Sequence, residues 1–170
     1  MRKFIRITAF IIVAAIAIYG IGRVTGPSVY TEIEIAAPAS AVWAVLADTE
    51  GHADWNPLII SMEGEVKEGA QLRNVLQLQE GSTNVFSPTV LVAEENTELR
   101  WLGSAGVKGI FDGEHYFLLE ETDRGTTLFR HGENFSGFLS YPIFAFIGDD
   151  TKAGFEAMNA ALKERVEGSL

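Results

Sequence analysis

The chain predicts a single α+β domain behind an apolar N-terminal segment, and three observations carry that reading. Between Val29 and Gly137 several runs alternate apolar and polar residues with period two, as antiparallel strands with one wet face do. Near the C-terminus Phe155, Met158, Leu162 and Val166 recur at helical steps. The 170 residues, 47% of them hydrophobic, suffice for one domain with a real core and are too few for two. Cysteine is absent, which excludes disulfide scaffolds and thiol-based metal or redox sites.

Ile7–Gly22 is an apolar run of 16 residues behind Arg2, Lys3 and Arg6. Its length falls between a signal-peptide core and a full span of roughly 17–25 residues. Taken from Phe4 to Val24, with Arg6 and Arg23 snorkelling outward, it predicts an N-terminal hydrophobic membrane helix. No clean cleavage site follows, so the expectation is an uncleaved anchor; a cleaved signal and a buried helix are the alternatives. Three basic residues before the run against one after it place the domain outside the cytoplasm. Gly20, Gly22, Gly26, Pro27 and Ser28 form a linker, which divides the chain into an anchor or signal segment, 1–28, and a domain, 29–170. All four charges among the first 25 residues are basic, so the remainder holds 9 basic against 23 acidic residues, a formal −14. Such a domain suits neither nucleic acid nor an anionic lipid surface.

Val29–Ile35 alternates strictly and is the first strand. Ala36-Ala37-Pro38 opens a helix striped by Val42, Val45 and Leu46 beside Trp43. The helix yields near Asp48 to an irregular bend ending in Trp55-Asn56-Pro57. Strand-like runs follow at Leu58–Val66, Gln71–Gln79, Val85–Ala93 and Leu99–Gly103, with Pro88 marking an edge or a bulge. The next two strands form a hairpin around Asp123-Arg124-Gly125, whose glycine supplies the left-handed position of a three-residue turn. Gly137–Gly148 is densely apolar and reads as a lid or an extra helical turn, with contact to lipid as the alternative. A helix from about Asp150 to Val166 ends the chain.

The hairpin carries the chemistry. Phe111, His115, Phe117 and Leu119 share one face of its first arm; Phe129, His131, Glu133 and Phe135 share one face of the second. A turn with Thr122 opposite Thr126 sets Glu133 against His115 and His131 against Phe117. Two imidazoles and a carboxylate then cluster inside an aromatic wall, either as a hydrogen-bonded structural group or as the polar end of a ligand site. A metal needs side chains converging at ~2 Å, which neighbouring strands seldom allow, so no metal is expected. The sequence has no GxSxG, no HExxH and no phosphate loop, and implies no cofactor.

The opening IEIAAPASAVWAVLAD, then WNP, LRW, FDGEHYFLLE, RHGENFSGFL and TKAGFEAMNAALKERVEG, resemble in order and spacing the SRPBCC (START-like, helix-grip) superfamily, in its polyketide cyclase/dehydrase-like branch. The resemblance covers about residues 30 to 168. It implies a helix-grip fold, a curved antiparallel sheet of about seven strands wrapped around the long C-terminal helix, with a hydrophobic cavity beneath that helix. The expected function is binding of a small hydrophobic ligand or lipid. The rivals are a cyclase or dehydratase using the same histidines, and a non-catalytic module of an envelope complex with its cavity filled. Candidate cavity residues are Trp55, Asn56, Trp101, Phe111, His115, Phe117, Phe129, His131, Glu133, Phe135, Phe155 and Met158, with Trp101, His115, Phe117 and His131 expected at the cavity surface.

Overall fold

Residues 26–79 and 81–169, described by a computed structural model, fold into eight strands and three helices. In order these are β1 (Ser28–Ile35), α1 (Ala39–Leu46), α2 (His52–Trp55), β2 (Ile59–Glu63), β3 (Arg73–Gln79), β4 (Ser82–Phe86), β5 (Thr89–Glu94), β6 (Glu98–Ser104), β7 (Asp112–Glu121), β8 (Thr127–Ser136) and α3 (Ser140–Glu167). A five-stranded sheet runs β1-β8-β7-β6-β5 and a three-stranded one β2-β3-β4, all antiparallel. Residues just before β3 join them. Gly69 and Leu72 donate N–H groups to the carbonyls of Val90 and Pro88, and Val90 donates to Ala70, each at 2.9 Å.

Eight strands replace the expected seven because Val85–Ala93 is two strands. Proline has no N–H to give a ladder, and the chain leaves pairing between Phe86 and Thr89, around Pro88. The hairpin register is as the turn chemistry predicts. Gly125 has φ +73°, Thr122 N–H bonds Thr126 O at 2.8 Å, and His115 pairs with Glu133 and Phe117 with His131.

Pro38 stands at the N-cap of α1 with extended backbone and no side-chain cap; the Glu121 carboxylate accepts from Ala39 N–H at 3.2 Å instead. That places an anion where the helix dipole favours it. Helix α1 buries Ala39, Val42 and Leu46. Helix α3 buries Phe155, Met158, Leu162 and Val166, the predicted stripe, together with Asn159. It starts ten residues before the expected Asp150. Gly137, at φ +109°, turns the chain out of β8, and Phe138 and Leu139 N–H groups bond the carbonyls of Gly109 and Ile110. Pro142 then falls in the first turn, where its missing N–H costs nothing. Gly137–Gly148 is therefore mostly helix, continuous with the terminal element. Gly148 lies inside it, where Phe144 lies close enough that a Cβ at 148 would approach its ring to 2.9 Å.

The core lies between α1, α3 and the inner face of the five-stranded sheet, where Ile35, Val42, Leu46, Leu99, Phe117, Phe129, Met158 and Leu162 lose essentially all contact with water. Among the described residues no helix is long and apolar enough to cross a membrane. The N-terminal helix expected from Phe4–Val24 lies outside those residues.

Candidate functional site

Period-two alternation turns His115 of β7 and His131 of β8 toward α3. Their Nε2 atoms meet at 2.8 Å. His131 Nδ1 contacts Asn159 Oδ1 at 2.8 Å, the Asn159 amide donates to Thr31 Oγ1 at 2.9 Å, and that hydroxyl donates to the His131 carbonyl at 3.3 Å. An amide oxygen only accepts. His131 therefore carries its proton on Nδ1, presents a bare Nε2, and receives the Nε2–H of His115. Burial holds His131 well below the ordinary imidazole range, the neighbouring His115 adds to this, and the Asn159 bond opposes it. His131 is thus a neutral relay whose hydrogen bonds are all used within the protein.

The chain of bonds ends at His115. Its remaining nitrogen, Nδ1, lies 3.6 Å from Glu133 Oε2. The carboxylate fits there because Gly113 lies beneath it; a Cβ at 113 would approach Glu133 Oε1 to 2.0 Å. Trp101 stacks on His115 with ring centroids 4.9 Å apart, and Phe155 meets the same ring edge-on at 4.9 Å.

His115 and Glu133 open on a cavity of about 620 Å³ between β2, β3, the inner face of β6–β8 and α3. That volume lies within the ~300–1,000 Å³ usual for small-molecule sites. The wall is mainly apolar, with Leu58, Ile59, Leu76, Phe86, Trp101 and Phe155 prominent. The void has a sequence cause. Gly103 shares the face of Trp101, so an inward position beside it lacks a side chain; its partner Gly113 is covered by Glu133. A Cβ at Gly103 would meet only Pro88, at 3.7 Å.

The family model described as polyketide cyclase/dehydrase and lipid transport matches residues 26–167. The chain belongs to this family. No curated protein matches the sequence. Among solved structures, a START superfamily protein from Mycobacterium smegmatis is 22% identical with a TM-score of 0.69, over 84% of this chain and 99% of that one. A protein from Thermus thermophilus is 18% identical at TM-score 0.66, again over 84% and 99%. An aromatase/cyclase from Streptomyces is 18% identical at 0.62, over 82% and 95%. At such identities the likeness speaks for the fold.

Within this polyketide cyclase/dehydrase and lipid transport domain, Trp101, Phe111, His115, Glu133, Phe135 and Phe155 line the cavity. Six other candidates do not. Phe117, Phe129 and Met158 are packed solid in the core, and His131 is sealed behind His115 and Phe155, whose ring stacks on it at 3.8 Å. The cavity surface thus includes Trp101 and His115 but neither Phe117 nor His131, because those two sit deeper on the strands, under the middle of α3. Asn56 is a corner. Its Oδ1 accepts the N–H groups of Leu58 and Ile59 at 2.9 Å, and its amide donates to His52 Nδ1 at 2.9 Å. Trp55 packs beside it, 4.9 Å from the His52 ring. His52, absent from the sequence-derived candidates, is fully buried and donates Nε2–H to Leu46 O at 2.9 Å; burial lowers its affinity for a second proton.

The sequence reading also missed the far wall. Asn74 is only 2% exposed, lines the cavity, and its Oδ1 has no hydrogen-bond partner. One signal was available, since Asn74 interrupts the apolar face Leu72–Leu76 at its middle position. Asp150, Ile147 and Gly154 reach the cavity from α3. Nothing in the helical stripe marks them, as they flank the face that carries Phe155 and Met158. Among the described residues no group of His, Asp and Glu is arranged to hold a metal ion.

Proposed function

We propose that this chain binds a small hydrophobic molecule or lipid in the cavity between α3 and the sheets. The observation that carries the reading is a void of about 620 Å³, mainly apolar, with one polar end formed by His115 and Glu133. Apolar burial, at roughly 25 cal/mol per Å² removed from water, supplies the affinity, and the polar end orients the ligand. Gly103→Phe tests it. The new ring would enter the cavity from a strand position that accepts aromatics and has open space before it. Mass spectrometry of molecules released from the purified chain should find one apolar compound per wild-type chain and none on the variant. Equal occupancy of both refutes the reading.

One observation favours a catalytic second reading. The His131–Asn159–Thr31 chain fixes the tautomer of His115, as a positioned acid–base group requires. Turnover separates the two, because a binder returns its ligand unchanged.

For residues 1–25 the proposal is a membrane anchor with the domain outside the cytoplasm. Support comes from the basic flank and from exposed Val107, Ile110, Phe138, Tyr141 and Phe146 around the start of α3, Phe146 being 86% exposed. The described chain begins beside them: Phe135 N–H bonds Pro27 O at 2.9 Å, two residues before Gly137. C-terminal reporters active on only one side of the membrane decide it; activity solely inside the cytoplasm overturns the topology.

A further inference from the structure

We propose that the cavity selects an uncharged ligand carrying a hydroxyl group and rejects anionic heads such as carboxylates and phosphates. The inference rests on reading the cavity as a binding site and concerns what that site accepts.

Among the described residues the ionisable groups lining the cavity are His115, Glu133 and Asp150; no lysine or arginine reaches it. An anionic head would lose its water and find carboxylates in place of a counter-charge, which is among the costlier burials a site can impose. Hydrogen bonding points the same way. The Nε2–H of His115 is committed to His131, whose own proton is committed to Asn159. With His115 neutral, its Nδ1 is a bare acceptor beside the Glu133 carboxylate. With His115 protonated, the Nδ1–H faces Glu133 at 3.6 Å and the carboxylate keeps its other lone pairs. With His115 neutral this end of the cavity offers only acceptors and needs a donor from the ligand; with it protonated the carboxylate is still an acceptor. A hydroxyl supplies the donor without charge.

Calorimetric titration of the full chain with 1-decanol, decanoate and decyl methyl ether at pH 8, each below its aggregation limit, tests the inference. The Gly103→Phe chain, carrying the same N-terminal segment, serves as the blank for uptake outside the cavity. Decanol should bind at least about tenfold more tightly than decanoate and about tenfold more tightly than the ether, which has no donor. Glu133→Gln is near-isosteric on a half-buried side chain and removes the negative charge. It should tighten decanoate and narrow its disadvantage to about threefold or less, with an unchanged circular dichroism spectrum showing that the fold persists. Decanoate binding as tightly as decanol, or a ratio that Glu133→Gln leaves unmoved, overturns the selectivity while leaving the binding reading intact. If none of the three binds above the Gly103→Phe blank, the binding reading falls and the selectivity with it.

Discussion

Acid should unfold this domain through two histidines that have no room for a second proton. His131 is wholly buried, with Nδ1–H given to Asn159 and Nε2 accepting from His115; His52 is wholly buried, with Nε2–H given to Leu46 O and Nδ1 accepting from Asn56. Burial, first of all, holds the pKa of each below the ordinary imidazole value of about 6.5. Above about pH 7.5 the folded and unfolded forms both hold these rings neutral, and they add no pH dependence. Below it the unfolded chain takes up protons that the folded chain refuses, so stability falls as pH falls. The limiting slope for each histidine is about 1.4 kcal/mol per pH unit. A ring that stays neutral in the fold down to pH 5 loses about 2 kcal/mol between pH 7.5 and 5, so the pair has a ceiling of about 4 kcal/mol. Relief of repulsion among the acidic residues works in the opposite direction, so the decisive quantity is a difference. Urea midpoints would be taken between pH 7.5 and 5 for wild type, His131→Gln and His52→Gln. Each variant is less stable at every pH, but its stability should fall less steeply below pH 6.5 than that of wild type. Parallel pH profiles for all three chains refute the reasoning.

Three further outcomes follow from the same contacts. Asn56→Ala removes the acceptor of two backbone N–H groups and the partner of His52, and should cost about 2–3 kcal/mol in urea unfolding while leaving decanol affinity unchanged. Asn159→Leu keeps the volume but leaves the His131 Nδ1–H buried without an acceptor; a loss of about 1–3 kcal/mol is expected, and a stability equal to wild type contradicts the hydrogen-bonded relay. Gly113→Ala pushes the flexible end of Glu133 off His115, so decanol binding should weaken several-fold by calorimetry while the free energy of urea unfolding changes by less than about 1 kcal/mol.

The hairpin was legible because its information is local. Asp123-Arg124-Gly125 sets the turn, period two sets the faces, and these put Glu133 opposite His115 with no knowledge of the rest of the chain. The stripe Phe155–Val166 was legible for the same reason, since helical spacing names its buried face. The start of α3 was not, because Gly148 and Pro142 weaken the local helical signal, and the turn at Gly137, anchored by the Gly109 and Ile110 carbonyls, decides it.

The sequence alone therefore determined the order of the main elements, apart from the break at Pro88 and the short helix at His52–Trp55, together with the hairpin register and the placing of two histidines and a glutamate on an inward face. Tertiary structure decided which of them meets the cavity. His115 and His131 are indistinguishable by pattern, yet α3 crosses so that Phe155 and Asn159 seal His131 and leave His115 open. The cavity is equally a collective property. It exists where Gly103 presents no side chain and where Gly113 and Gly154 let Glu133 and Leu58 lie close against the backbone, while Asn74 and Trp101 stop short of filling the gap. A short-range pattern can say which face a residue takes. It cannot say how far the opposite wall stands, because that distance is set by contacts between residues remote in sequence.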